Sequence, residues 1–317
     1  MGDEQVEPLR TALRSKGVVG CAGPLIPVLF ARVRPSGAIA TLGVPPAVRQ
    51  TVPMSRGRFV ILTLVIVAMS RTLVAQTDEI QVYDGSHADP GVFNLTWHNN
   101  FTPAGQATPA FPGAVVADKS FNGVTEWALG VTSWFEQGLY LPLYTVDKSL
   151  GGTIDGLKLR ELFAVPHAAD RRFVYGVNFE FSFNSKHWDT NRHTSEIRPI
   201  IGWHLKPWDI IVNPILDSSY DGLKNLDFAP ETRLAYNVSE VWAVAAEEYD
   251  DFGPLHQFRS GSDQSHQLYA VVDRVTKALD VEFGVGFGLT AASDKVTLKL
   301  LVSKDLGRIG HERGRER

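Results

Sequence analysis

The chain has 317 residues, 44% hydrophobic and 21% charged, with a formal net charge of −4, which excludes a disordered chain and allows two average domains or one barrel. Its only cysteine, Cys21, lies near the start, so the body has no disulfide, Cys-ligated zinc, iron–sulfur cluster or thiol nucleophile. Residues 1–75 carry nine Lys/Arg against three acids, leaving an acidic body that lacks the basic surface non-specific nucleic-acid binding needs. No apolar run reaches the roughly 18 to 20 residues of a membrane-crossing helix.

In chain order, residues 1–53 show no steady period and scattered Pro and Gly, and read as a non-native or disordered extension. An Arg-rich organellar transit peptide is the rival reading. At 54–75, Arg56 and Arg58 precede the apolar run Phe59–Met69, and Leu73-Val74-Ala75 offers a small residue for cleavage. That order is a secretory signal peptide, with Met54 as the expected true start.

The body, 76–306, alternates with period two. In Phe173–Asn184, Phe173, Tyr175, Val177, Phe179, Phe181 and Phe183 share one face, and Asn178, Glu180, Ser182 and Asn184 the other. Strand side chains point alternately to opposite faces, so this predicts a strand with one greasy and one polar side. The pattern recurs at Thr194–His204, Asp209–Asp217, Glu231–Val238, Leu279–Leu289 and Val296–Val302. It is weaker at Phe93–Asn100, Glu126–Phe135, Gly138–Val146, Gly156–Val165, Val241–Tyr249 and His266–Asp273. With a first candidate near Ile80–Tyr83 there are about thirteen segments, one expected to be a loop or an inward piece, which predicts about twelve strands (ten to fourteen).

A soluble sandwich or barrel would bury the apolar faces, whereas a membrane barrel turns them to lipid. Uniform apolar faces nine to eleven residues long favour lipid. So do the mixed-sign charges and glycines opposite them. Aromatics at predicted strand ends read as an interfacial girdle: Trp97, Trp127, Trp134, Tyr140, Tyr144, Trp188, Trp203, Trp208, Tyr236 and Trp242. The fold class is therefore an all-β, antiparallel, up-and-down transmembrane barrel, since closure pairs every backbone group in hydrocarbon.

PGVFNLTWHNN (90–100), EWALGVTSWFEQGLYLPLY (126–144), SEIRPIIGWHL (195–205), EEYDDFGPL (247–255) and VEFGVGFGLT (281–290) resemble segments of Gram-negative outer-membrane β-barrel proteins. The body is most similar to the transporter-like group akin to the phenol-degradation MetA-pathway barrels. In WALGVTSWFEQGLYLP the tight turn is expected at Glu136-Gln137-Gly138. The resemblance implies a bacterial outer-membrane location, outer-membrane lipid and assembly machinery as partners, and a small-molecule solute. It departs at the C-terminus, where Leu306 and the charged tail 307–317 replace the usual terminal aromatic.

The expected inward, pore-lining charges are Glu126, Lys158, Arg160, Glu180, Glu196, Arg198, Glu231, Arg233, Glu247, Asp280, Glu282 and Lys299. Two arrangements stay open: interlocked pairs that plug the barrel, or opposed arcs whose transverse field selects small solutes. Glu247-Glu248-Tyr249-Asp250-Asp251 could hold Ca²⁺ but lacks the spacing of a calcium loop, so an inward Glu247 and a solvated loop are expected. His187, Asp189 and His193 fall between strands and read as a polar loop. His204 and Asp209 flank a turn at Lys206-Pro207, and with Ser195, Ser218 or Ser219 would permit a lipid hydrolase, though no motif singles one out. Gly284, Gly286 and Gly288 form a small-residue strand face, not a phosphate loop. No metal or cofactor is implied, and the protein is expected to be a monomer or homo-oligomer. The reading is a passive channel for small polar or hydrophobic solutes, with a non-conducting structural or adhesion barrel as the alternative and a lipid hydrolase third.

Overall fold

The computed structural model describes residues 78–308. The signal peptide expected at 54–75, the extension expected before it and residues 309–317 lie outside the described residues. The alternating segments form an antiparallel meander: β1 (Val92–Ala104), β2 (Ser120–Thr132), β3 (Phe135–Asp147), β4 (Gly151–Ala164), β5 (Phe173–Asn184) and β6 (His193–His204). The seventh wall strand comes in two pieces, β7 (Trp208–Asn213) and β8 (Leu216–Ser218), as does the eighth, β9 (Asp227–Phe228) and β10 (Glu231–Asn237). Next come β11 (Trp242–Asp251) with its continuation β12 (Gly253–Pro254), then β13 (Ser265–Arg274), β14 (Asp280–Gly288) and β15 (Val296–Arg308). β15 pairs with β1, with Trp97 opposite Val302, and closes a twelve-stranded barrel.

The two breaks have a common cause. Pro214 separates β7 from β8 and Pro230 separates β9 from β10. Proline has no N–H to give to a ladder. β6 keeps one register across the first break, with Ile201 opposite Val212 and Ile197 opposite Leu216. Pro199 therefore faces Pro214, and the wall is thin in hydrogen bonds there.

The charged and apolar faces sort as a membrane barrel requires. Phe181 and Phe183 are 42% and 44% exposed, while Glu180 and Arg198 are 2% and 4% exposed. An outward apolar belt on a closed barrel, with polar groups inside, is the architecture of bacterial outer-membrane proteins. One end carries short connections, such as the two-residue turn Ser133–Trp134, and the other carries long loops, such as 105–119 and 255–264. Short turns mark the periplasmic end and long loops the outer end. Trp134, Phe173, Trp203, Trp208, Tyr236 and Trp242 ring the short-turn end on the exposed face.

Several expectations are corrected. The turn lies at Ser133–Trp134, not at Glu136-Gln137-Gly138, which belong to β3. Gly138 is small for another reason: a Cβ there would sit 2.7 Å from the Arg160 guanidinium Nε. Ile80–Tyr83 is not a strand. Tyr140 is fully buried inside the barrel and Trp188 lies in the 185–192 loop, so neither joins the girdle. β15 runs past Leu306, with Gly307 and Arg308 in register with Phe93 and Val92. The three glycines of β14 do form a small-residue face: the Tyr269 ring lies over Gly286 and the Lys299 stem over Gly284.

Candidate functional site: a filled lumen and an open vestibule

The chain upstream of β1 enters the barrel instead of its wall. From Asp78 to Ala88 it runs through the lumen toward the short-turn end, where Gly91 N–H donates to the Gly130 carbonyl at 2.6 Å before β1 begins. A buried extended segment with no ladder must find partners for its N–H and C=O groups, and wall side chains supply them. Asn213 bonds Tyr83 twice, its Oδ1 accepting from the N–H at 2.7 Å and its Nδ2 donating to the carbonyl at 3.0 Å. Arg198 donates to the Gln81 carbonyl at 2.8 Å, Lys299 to that of Ile80 at 3.3 Å and Asn100 to that of Asp78 at 3.2 Å. The Ala88 N–H donates to Glu136 Oε2 at 2.6 Å. Gly130 admits the segment, because a Cβ there would overlap the Ala88 and Asp89 carbonyl oxygens. The Asn213 contact lies beside Pro214, so the segment covers the thin part of the wall from within.

Around this segment the inward charges interlock. Arg160 bridges Glu126 at 2.9 Å and Glu136, and His98 Nε2 meets Glu126 at 3.1 Å. Arg198 joins Glu196 at 2.6 Å to Glu231 at 3.1 Å. Arg233 contacts Glu247, Asp273 and Glu282, and Lys299 contacts Glu247 and Glu282. Lys158 ties Asp78 at 2.8 Å to Glu180 at 3.4 Å. Tyr83 sits among them, its hydroxyl against that of Tyr140 and its ring 4.6 Å beneath the Arg198 guanidinium. Nearer the short-turn end, Tyr83 packs with Leu162, Val174 and Ile200 in an apolar cluster. Pairing of this density is what lets so many charges sit out of water, since an unpaired buried ion costs several kcal/mol.

Eleven of the twelve sequence-predicted inward residues meet in this network. Asp280 does not: it lies at the short-turn rim, where its carboxylate accepts from the Thr276 N–H at 2.8 Å. The sequence reading missed Asn213, Asn100, His98, Glu136 and Asp273 as partners, and missed Asp78. His98 and Asn100 fall within the polar run His98-Asn99-Asn100, where period two blurs; Asp273 closes the inward series Tyr269, Val271.

The other constellations resolve differently. Asp250 pairs with His266 at 2.5 Å and Asp251 with Arg259 at 2.6 Å, so the acidic run is divided among separate bases. His187 pairs with Asp155 at 2.9 Å, Asp189 accepts from the Asn191 N–H, and the His193 ring packs edge-on against Phe183, so these three do not converge. His204 and Asp209 bond at 2.7 Å at the short-turn end. Ser195 lies nine residues from His204 along β6, about 30 Å at strand rise, and Ser218 stands opposite Ser195, so neither serine meets that pair. Among the described residues no group of His, Cys, Asp and Glu is arranged to hold a metal ion.

Outward of the ion pairs the lumen widens into a vestibule of about 910 Å³, roofed by the 105–119 and 185–192 loops and bounded by β8, β9 and the end of β11. Asp78 and Glu79 of the inner segment, with Lys158, Glu180 and Arg198, form its floor.

No protein-family model matches the chain, and no curated protein matches it. Solved structures are similar in architecture. An outer membrane channel from Pseudomonas putida F1 superposes with a TM-score of 0.49 at 14% identity, covering 72% of this chain and 100% of that one. The NanC porin gives 0.43 at 7% identity, covering 67% and 97%. The translocator domain of the autotransporter NalP from Neisseria meningitidis gives 0.39 at 10% identity, covering 78% and 96%.

Proposed function

We propose that the protein is an outer-membrane channel for small solutes, closed in the described conformation by the Asp78–Asp89 segment. The observation that carries this reading is what fills the lumen: a single extended chain, docked through hydrogen bonds onto a charged wall, beneath an open vestibule. A barrel that only needed a core would fill itself with wall side chains. An inner segment can leave, and its departure would uncover Arg160, Arg198, Arg233 and Lys299 facing Glu126, Glu180, Glu196, Glu231, Glu247 and Glu282, a lining of both signs. Reaching the outer membrane requires export, and the basic, apolar and small-residue order of 54–75 supports cleavage of a leader shortly before Asp78. Outer-membrane lipid and the assembly machinery are the partners this implies.

The interlocked ion pairs favour a second reading, a permanently closed structural or adhesion barrel. Conductance in planar bilayers separates the two. The full chain is expected to show small, infrequent openings, and a variant lacking residues 78–89 large and steady ones. Silence from both would leave the structural reading in place.

A further inference from the structure

The vestibule is strongly one-sided in charge. Among the described residues, eleven carboxylates line it against three Lys/Arg side chains, Lys158, Arg198 and Arg259. All three bases are consumed: Lys158 by Asp78 and Glu180, Arg198 by Glu196 and Glu231, Arg259 by Asp227 and Asp251. Five carboxylates are left without a Lys or Arg partner: Glu79, Asp189, Asp217, Asp250 and Asp294.

Glu79 is the informative one. Glu79 is among the residues at the cavity floor and is only 5% exposed. Oε1 accepts from the Tyr83 hydroxyl at 2.7 Å, but Oε2 is buried with no hydrogen-bond partner. A buried carboxylate oxygen left unpaired is costly, and an ammonium N–H is the donor that best relieves it. Asp217 stands on the side wall, where β8 forms the barrel, and Asp294 on the roof in the 289–295 loop, so the unpaired negative charge is spread in depth and does not converge on one point. A single metal ion cannot touch them together, and none of the described acidic groups is arranged to hold one. A flexible organic molecule with several ammonium groups can. The cavity has the size of a small-molecule site, and Trp188 in its lining is an aromatic of the kind that takes the cationic and methylene groups of such a ligand.

We propose that the outer vestibule binds a small organic polycation of the polyamine type, with one ammonium at the floor beside Glu79 and others toward Asp217 and Asp294. This rests on the barrel opening outward from a membrane, and it names the solute class that the outer side collects.

The test is calorimetric titration of the full chain in detergent with spermidine, with magnesium chloride and sodium glutamate as comparators. Spermidine is expected to bind and glutamate not to. Glu79→Gln should weaken spermidine by about tenfold or more, as loss of one charged hydrogen bond does, and Asp217→Asn by several-fold. Heat-modifiable migration in gels confirms that each variant is folded, and Asp217→Asn, on a partly exposed side chain, keeps the test alive if Glu79→Gln fails to fold. Folded variants that bind spermidine like the parent, or magnesium that binds as tightly and displaces it, overturn the proposal. A protein that binds spermidine yet never conducts refutes the passage reading and leaves this site standing; one that conducts and ignores spermidine does the reverse.

Discussion

The middle of the lumen and the outer vestibule are built from the same material, carboxylates and a few bases on inward strand faces, yet they behave as opposites. In the middle, Glu126, Glu247 and Asp273 each touch an arginine, and the residues around them are almost wholly buried. In the vestibule, eleven acids face three bases among the described residues, five of the acids without a Lys or Arg partner, and the space stays open. What separates them is the Asp78–Asp89 segment. Where it lies, wall and segment groups are packed against one another and most charges have a partner; outward of Asp78 and Glu79, carboxylates such as Asp217 stand without a Lys or Arg partner. A carboxylate's role here follows from the reach of the nearest base, not from its place in the alternation.

That contrast can be broken most violently in the middle. Arg198→Ala strands Glu196 and Glu231 and frees the Gln81 carbonyl, and is expected to cost about 3 to 5 kcal/mol, read as a large drop in the temperature of heat-modifiable unfolding. A vestibule change such as Asp217→Asn should shift the same transition by less than about 0.5 kcal/mol. Equal effects would erase the distinction.

Next in size, Phe181→Lys places an ammonium on the lipid-facing side of β5, and an expected loss of about 2 to 4 kcal/mol in urea unfolding from bilayers checks the orientation of the whole wall. Asn213→Ala then removes both hydrogen bonds to Tyr83. It should cost about 1 to 3 kcal/mol and raise open probability in bilayers, because the clamp over the Pro199–Pro214 gap is gone. Unchanged gating in a folded Asn213→Ala barrel would mean that the segment is not what closes the lumen.

The smallest effect is a pH dependence. Asp294 lies in an outer loop, where burial holds its carboxyl above the usual carboxylate range and Asp118 raises it further, opposed by the Gln106 N–H that it accepts. It therefore takes up a proton at higher pH than an ordinary aspartate. Vestibule charge falls on acidification through that raised value, and spermidine affinity should fall with it. Asp294→Asn should flatten the difference between titrations at neutral and mildly acidic pH.

Much of the wall was legible because strand geometry writes itself into alternation. Phe173–Asn184 needed no partner to announce its two faces, and lipid on one side with charge on the other made Glu180 and Arg198 inward before any register was known. The inner segment was not legible in the same way. Ile80–Tyr83 alternates like a strand, but its backbone is satisfied by Asn213, Arg198 and Lys299, and side-chain docking leaves no periodic trace. Tyr140 shows the same limit: an aromatic that anchors an interface and one that fills a lumen look alike in sequence. Gly138 passed for a turn residue because small size serves both turns and close approach. Which acid meets which base depends on cross-strand register, as when Glu231 reaches Arg198 33 residues away.

Three neighbouring positions on β5 put the central claim to one measurement: Asn178 in the filled lumen, Phe181 toward lipid and Ser182 in the vestibule. With Cys21 replaced, single cysteines at these sites are treated with a water-soluble maleimide on barrels reconstituted in lipid. Only the cysteine at 182 should label in the full chain, and the one at 178 should begin to label when residues 78–89 are removed. Labelling at 178 as fast as at 182 in the full chain would contradict a closed lumen, and labelling at 181 would contradict a barrel set in a membrane.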